Sequence, residues 1–416
     1  MIFTREKKEI WGFWNKVSFR FLFTYFTLYC CSIFSGSLWS PFVYWIGKNI
    51  LNIGHEFSHK GYGSGDTTYA YIQVLLFFLI ALSVTLVTSV IDRKRQSYDT
   101  LMWVFTILLR LILVFFLLVY GFSKVFYLQF SPPSLTRLLQ PLGEMSPMGL
   151  AWTFMGYSKA YTIFSGLVEV FAGYLLISKR TQTIGAMLTI AVMGNVFMMN
   201  LCYDIPVKLF SIHLLLMGLI LLLTDFNRLF GLFFTNETID KVTYFSPYMH
   251  DKDIIKVVRG FKLLFIVGIS GLYGFKDYTS MKKHGENREK PILYGIWEAR
   301  HFIKNNDTIP PLITDHDRWR YLIIDRKDRA IIKAMDGKKS YHTFKPDSIS
   351  RQIVFNESKL ETDTPNFTYD NSSRDYLELK GILNSDTLSI VLYRKDDNFL
   401  LKTRGFNWIN EQPFNR

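Results

Sequence analysis

Apolar residues run in long unbroken stretches up to about residue 275, then in short alternating stretches from about residue 290. Seven long stretches lie near 18–38, 69–91, 101–127, 161–178, 182–203, 209–224 and 259–275. A helix needs about 20 apolar residues to cross a bilayer, so each is a candidate span, the last two being short. The third is long enough to tilt or protrude. Between the third and fourth runs, QFSPPSLTRLLQPLGEMSPMGLAWTFMGYS is rich in Pro, Gly and Met yet apolar, which predicts short interfacial helices, as a cap over the bundle in preference to a lid. The later segments YGIWEARHFI, RWRYLIID, RAIIKAMDG, QIVFNES, NFTYD, YLELKGI, LSIVLYRK and FLLKTRGFNWI read as strands separated by Asn, Asp, Gly and Ser turns. Closing such strands into a barrel removes exposed edges, and a β-sandwich is the alternative. The expected fold class is a membrane all-α helical bundle of about seven transmembrane helices followed by an exterior antiparallel β-barrel-like domain. Its divisions are an anchor with two spans (1–98), a four-helix core (99–230), a cytoplasmic loop with the last helix (231–284) and the β domain (285–416).

Composition agrees with that division. Of 416 residues, 49% are hydrophobic and 17% aromatic, a membrane-protein balance. The net charge is +13, but residues 285–416 hold 22 Lys and Arg against 20 Asp and Glu, so the excess sits beside the apolar spans. Lys and Arg cluster in alternate loops, including Arg5 to Arg20, Arg93 to Arg95, Lys179-Arg180 and Arg228 to Lys262. The positive-inside rule then puts the N-terminus in the cytoplasm and the C-terminal domain outside. The first span lacks a small-x-small cleavage site and reads as a retained anchor. No basic stripe with interleaved aromatics points to nucleic acid. Cys30, Cys31 and Cys202 all lie in apolar runs, which excludes a disulfide framework and a CxxC site.

Charges inside a bilayer are costly unless paired or hydrated, so each asks for a partner. Arg110 lies nine residues from the cytoplasmic start of the third span, and Glu169 nine from the cytoplasmic end of the fourth. Equal depth in consecutive spans predicts an Arg110–Glu169 pair, either functional or merely fixing helix register. Lys124 follows Arg110 by four helical turns on the same face. It heads an outer polar layer with Asn195, Asn200, Tyr203, Asp204, Lys208 and His213, which can converge on an anionic or quinone-like ligand. The alternative is a hydrated turn in which Asp204 and Lys208 pair locally and His213 is simply a core histidine.

LLRLILVFFLLVYGFSKVF carries Arg110 and then Gly121-x-x-Lys124, and GLVEVFAGYLLISKRTQTIGAML carries Glu169, Gly173 and a short basic turn. Over about residues 101–224 these resemble the DoxX family of small membrane proteins, four-helix units related to the DoxD subunit of thiosulfate:quinone oxidoreductase. The resemblance implies a bacterial inner-membrane protein and carries Arg110, Lys124 and Glu169 over as polar positions without a catalytic role. It leaves open whether the chain is an accessory or binding subunit for a small molecule, lipid or partner protein, or a quinone-linked redox subunit. The long insertion between the third and fourth spans and the extra helices depart from the smallest members. A quinone has to be held by shape and a few polar groups, since no CxxC, heme or dinucleotide pattern is present.

Two short motifs remain. Gly295-x-Trp297 on the first strand resembles the lipocalin G-x-W signature, in which a basic residue near the last strand packs on the tryptophan. That resemblance assigns the basic position to Arg404. His55-Glu56-Phe57-Ser58-His59 spells H-E-x-x-H, which on a helix holds zinc with the glutamate as base. Here Gly54 precedes it and Gly61 and Gly63 follow, cutting any helix short, and no third ligand is evident. It reads as a polar exterior turn with no metal, leaving a zinc protease as a remote alternative.

Overall fold

In a computed structural model of the chain, residues 10–59, 63–235, 252–286, 288–357 and 364–415 are described. They form two compact units. Residues 1–130 and 146–281 belong to the helical unit, and residues 131–145 and 282–416 to the β unit.

Six helices of the helical unit are long and apolar enough to cross a membrane: α1 (Phe13–Phe34), α3 (Thr68–Ile91), α4 (Asp99–Val125), α7 (Lys159–Ile177), α8 (Gln182–Cys202) and the Lys256–His284 part of α11 (Lys252–His284). The sixth expected span, α9 (Lys208–Leu223), continues into Phe226–Thr235 across a 75° bend. This unit has the build of a multi-pass membrane protein. The first span begins five residues earlier than the apolar run suggests and is followed by Gly36 at φ +53, a conformation that glycine adopts without strain. The helix α2 (Ser40–Asn49) was not expected. At ten residues it is too short to cross, and it packs Val43 and Ile46 against Tyr69 and Ile72 of α3 while Phe42 and Trp45 face outward. At the opposite end of α1, Arg20 is buried rather than left as a surface charge. Its Nε donates to the Tyr98 hydroxyl at 2.7 Å, Nη1 to Ser89 at 2.9 Å and Nη2 to the Asp92 carbonyl at 3.2 Å.

The closest helix pairing is between α4 and α7. A Cβ on Gly166 would lie 2.7 Å from the Gly121 carbonyl oxygen and 2.8 Å from the Val125 nitrogen, and one on Gly121 would lie 2.7 Å from Val170 Cγ2. In lipid there is little hydrophobic drive between helices, so small residues that let backbones approach are what bind them.

The β unit closes. Its strands β1 (Gly295–Lys304), β3 (Trp319–Arg326), β4 (Arg329–Ala334), β5 (Lys339–Pro346), β6 (Gln352–Glu357), β7 (Phe367–Asp370), β8 (Tyr376–Leu383) and β9 (Asp386–Arg394) pair antiparallel in sequence order, and β1 pairs β9. The two-residue β2 (Asp307–Thr308) only extends the edge of β1. The result is a closed eight-stranded barrel, not a sandwich. Its inward residues, among them Trp297, Phe302, Trp319, Phe344, Phe355 and Ile390, form one buried core, so side chains fill the interior. FLLKTRGFNWI is not a strand: it is the short helix α12 (Leu400–Thr403) and a loop. The eighth strand is instead β5, whose alternation is hidden because His342 takes an inward position beside Phe344. His342 stacks on Phe355 with centroids 5.0 Å apart.

Arg404 therefore cannot cover Trp297; it donates to Asn410 and lies over Phe414. The residue paired with Trp297 across β1 and β9 is Arg394. The loop between α4 and α7 is also not one cap over the bundle. Its α5 (Leu135–Leu138) buries Leu135 against Ile296, Tyr321 and Ile323 of the barrel, whereas α6 (Pro147–Tyr157) belongs to the helical unit.

Gly166→Ala should cost about 1–3 kcal/mol by overpacking, seen as a lower melting temperature of the purified full chain. Gly194→Ala on α8 meets nothing within 4 Å and should be neutral or slightly stabilising, because Ala is the better helix former. Equal melting temperatures for the two variants would contradict the close α4–α7 contact.

Candidate functional site: a groove beside a buried ion pair

The expected partner of Glu169 is wrong. Glu169 pairs with Lys124, whose Nζ lies 2.7 Å from both carboxylate oxygens, and both residues are buried. Arg110 instead donates through Nε to the Leu176 carbonyl at 2.6 Å and through Nη2 to the Ile177 carbonyl. The last carbonyls of a helix lack intrahelical partners and carry its negative dipole end, so Arg110 caps α7 from the neighbouring helix. The physical reason is unequal length. With α4 at 27 residues and α7 at 19, counting inward from each helix's own end does not give equal depth.

Local geometry makes the Lys124–Glu169 contact. Both charges follow a glycine by three residues, Gly121-x-x-Lys124 and Gly166-x-x-Glu169. The two glycines bring the backbones together, and each charge one turn on reaches across the seam. Side chains lean toward their helix N-termini, so in this antiparallel pair Lys124 and Glu169 lean toward each other. Gly166 was the residue that the sequence reading missed, although the repeated Gly-x-x-charge spacing was its signal.

The pair forms one wall of a groove of about 780 Å³ bounded by residues of α4, α6, α7 and α8. Phe130, Met155, Val192 and Val196 line its interior, and Phe154, Phe164 and Met198 at its mouth are exposed on the bundle surface. Asn195 and Tyr203 also face into it and make no side-chain hydrogen bond among the described residues. An ammonium has three donors. Two of those on Lys124 serve Glu169, and the third remains for an oxygen on a ligand.

The rest of the expected outer layer divides away from this groove. Asn200 donates to Ser211 at 3.0 Å and ties the α8–α9 turn. Asp204 and Lys208 form a local pair at 2.7 Å, and Asp66, overlooked in the sequence, accepts from the Lys208 and Leu209 amides at 2.8 and 2.9 Å. His213 packs toward α1: its ring stacks on Tyr29 at 3.9 Å, with Nε2 at 2.7 Å from the Tyr25 hydroxyl and Nδ1 at 2.6 Å from the Leu209 carbonyl. Lys124, Asn195 and Tyr203 thus share the groove, while Asn200, Asp204, Lys208 and His213 do not.

The H-E-x-x-H stretch runs through an irregular loop, so His55 and His59 do not share a helix face. Phe57 within it is the anchor, its ring seated where a Cβ on Gly47 would stand only 2.4 Å away. Among the described residues no three His, Cys, Asp or Glu side chains are grouped to hold a metal ion.

Among curated proteins the chain is similar to the uncharacterized protein YwoB of Bacillus subtilis, 36% identical over 140 residues, covering 82% of YwoB and 32% of this chain. The chain belongs to the family of YwoB. The YwoB-like part is under a third of the chain, so most of the chain lies outside the shared region. No family model matches, and no solved structure matches.

Removing one partner of a buried pair leaves an uncompensated charge and costs about 3–5 kcal/mol. Lys124→Met and Glu169→Leu should each destabilise the full chain by that order in denaturant unfolding. The double variant should recover more than half of the loss. Additive losses would exclude the pairing.

Proposed function

We propose that this chain is a multi-pass bacterial inner-membrane protein, DoxX-like in its core, that binds an apolar-tailed ligand with an oxygen-bearing head. The groove beside Lys124 and Glu169 carries this reading. Its volume of about 780 Å³ falls in the range of small-molecule sites, about 300–1,000 Å³, and its walls are mainly apolar with few polar groups. In a bilayer its mouth at Phe154 and Phe164 opens sideways, a route for a lipid to enter without leaving the membrane. The ammonium of Lys124 and the Asn195 amide meet the head group; the apolar walls take the tail. By the positive-inside rule the N-terminus is cytoplasmic and the barrel periplasmic. The filled barrel is read as a partner-facing or accessory domain rather than a ligand calyx.

The second reading is a quinone-linked subunit of an oxidoreductase complex. It is favoured by the same donors, since an ammonium and an amide on an apolar wall suit quinone carbonyls. Lipid extracts of the purified full chain, analysed by mass spectrometry, test both. The primary reading predicts one phospholipid or isoprenoid species retained in wild type and lost in Phe164→Lys and Asn195→Leu. Retained quinone would favour the second reading, and no species dependent on these residues would contradict both.

A further inference from the structure

We propose that the end of the barrel carrying Trp297 is a binding site for a phosphate-type anion. A cleft of about 340 Å³ lies there, lined by Lys290, Tyr294, Asn371, Ser373, Arg374 and Arg394 over the Trp297 ring. Three of these side chains are cationic and none is acidic. Lys290, Arg374 and Arg394 have no ion-pair partner among the described residues. Two nearby carboxylates are already engaged: Arg288 binds Asp325 at 2.9 Å, and Lys402 binds Asp397 at 2.5 Å. Three cations line the cleft with no acid among its lining residues, so their mutual repulsion is relieved when an anion enters.

The fold builds this cleft in two ways. Gly295 has φ +146, and the Arg394 Nε stands 3.4 Å from where its Cβ would be, so the glycine makes room for the guanidinium beside β1. Register fixes the same side chain, because Arg394 is the residue paired with Trp297. The indole is held by its own bond from Nε1 to the Leu293 carbonyl at 2.8 Å. The Lys290 ammonium lies 4.9 Å above the Tyr294 ring, a cation–π contact that holds it at the cleft and uses none of its N–H donors. Ser373 and Asn371 add neutral donors on the facing turn between β7 and β8. Guanidinium forks with hydroxyl and amide donors match the several oxygens of a phosphate group better than a halide or a lone carboxylate. A phospholipid head group and a soluble phosphate share this chemistry. Lys290 lies only six residues after the last membrane helix ends at His284.

The test uses the full chain in nanodiscs at fixed ionic strength, with inorganic phosphate titrated calorimetrically. Lys290→Gln/Arg374→Gln removes two exposed cations of the cleft. Lys338→Gln/Lys380→Gln removes the same charge elsewhere on the barrel. In phosphatidylcholine discs, wild type should bind one phosphate, the cleft variant should bind at least about tenfold more weakly, and the control should match wild type. Discs containing phosphatidylglycerol identify the source. Phosphate binding weakened there, and only when the cleft is intact, assigns the site to a lipid head group. Unchanged binding assigns it to a soluble phosphate compound. Absence of saturable binding, or equal weakening by both double variants, would overturn the proposal.

Discussion

The close contact between α4 and α7 is the constraint on which the helical unit depends. Two glycines let the backbones meet, and the meeting brings Lys124 onto Glu169 where both side chains are buried. Packing and charge support each other here. A wider helix separation would strand both ions, and loss of either ion would leave the other unpaired in a tight seam. Arg110 holds the far end of the same pair by capping α7. Held at its middle by Glu169 and at its C-terminal end by Arg110, α7 is one side of the groove that α6 and α8 complete.

That groove sets the functional reading. Its polar groups are few, Lys124 and Glu169 from α4 and α7 and Asn195 and Tyr203 from the α8 side, among mainly apolar walls. We read it as a site for a lipid-like molecule, held by shape and a few polar contacts. The barrel works differently. Its interior is filled by Trp297, Trp319, Phe344 and Phe355, so whatever it binds must meet its surface or its ends.

The sequence made much of this architecture visible. Long apolar runs mark spans because a bilayer demands length, and period-two alternation marks strands because one face is buried. The features that escaped it depend on three-dimensional register. Arg110 and Glu169 seemed equally deep only because each was measured from its own helix end. The basic partner of Trp297 was placed at Arg404, whereas β9 ends at Arg394 and its pairing with β1 decides which arginine lies opposite. The helix α2 was hidden because its apolar residues merge with the preceding span. The H-E-x-x-H letters were legible but misleading, since flanking glycines deny them the helix their chemistry needs. The division of the polar layer between groove, turn and α1 followed from side-chain direction, which residue spacing alone does not give.

The central claim is that Lys124 and Glu169 form a closed pair beside a ligand-bearing groove. A cryo-electron microscopy map of the full chain in native-lipid nanodiscs tests it most directly. The account predicts continuous density between the Lys124 ammonium and the Glu169 carboxylate, and elongated density along the groove with its head against Lys124 or Asn195. A groove closed by α8 against α4, or Glu169 turned away from Lys124, would contradict it.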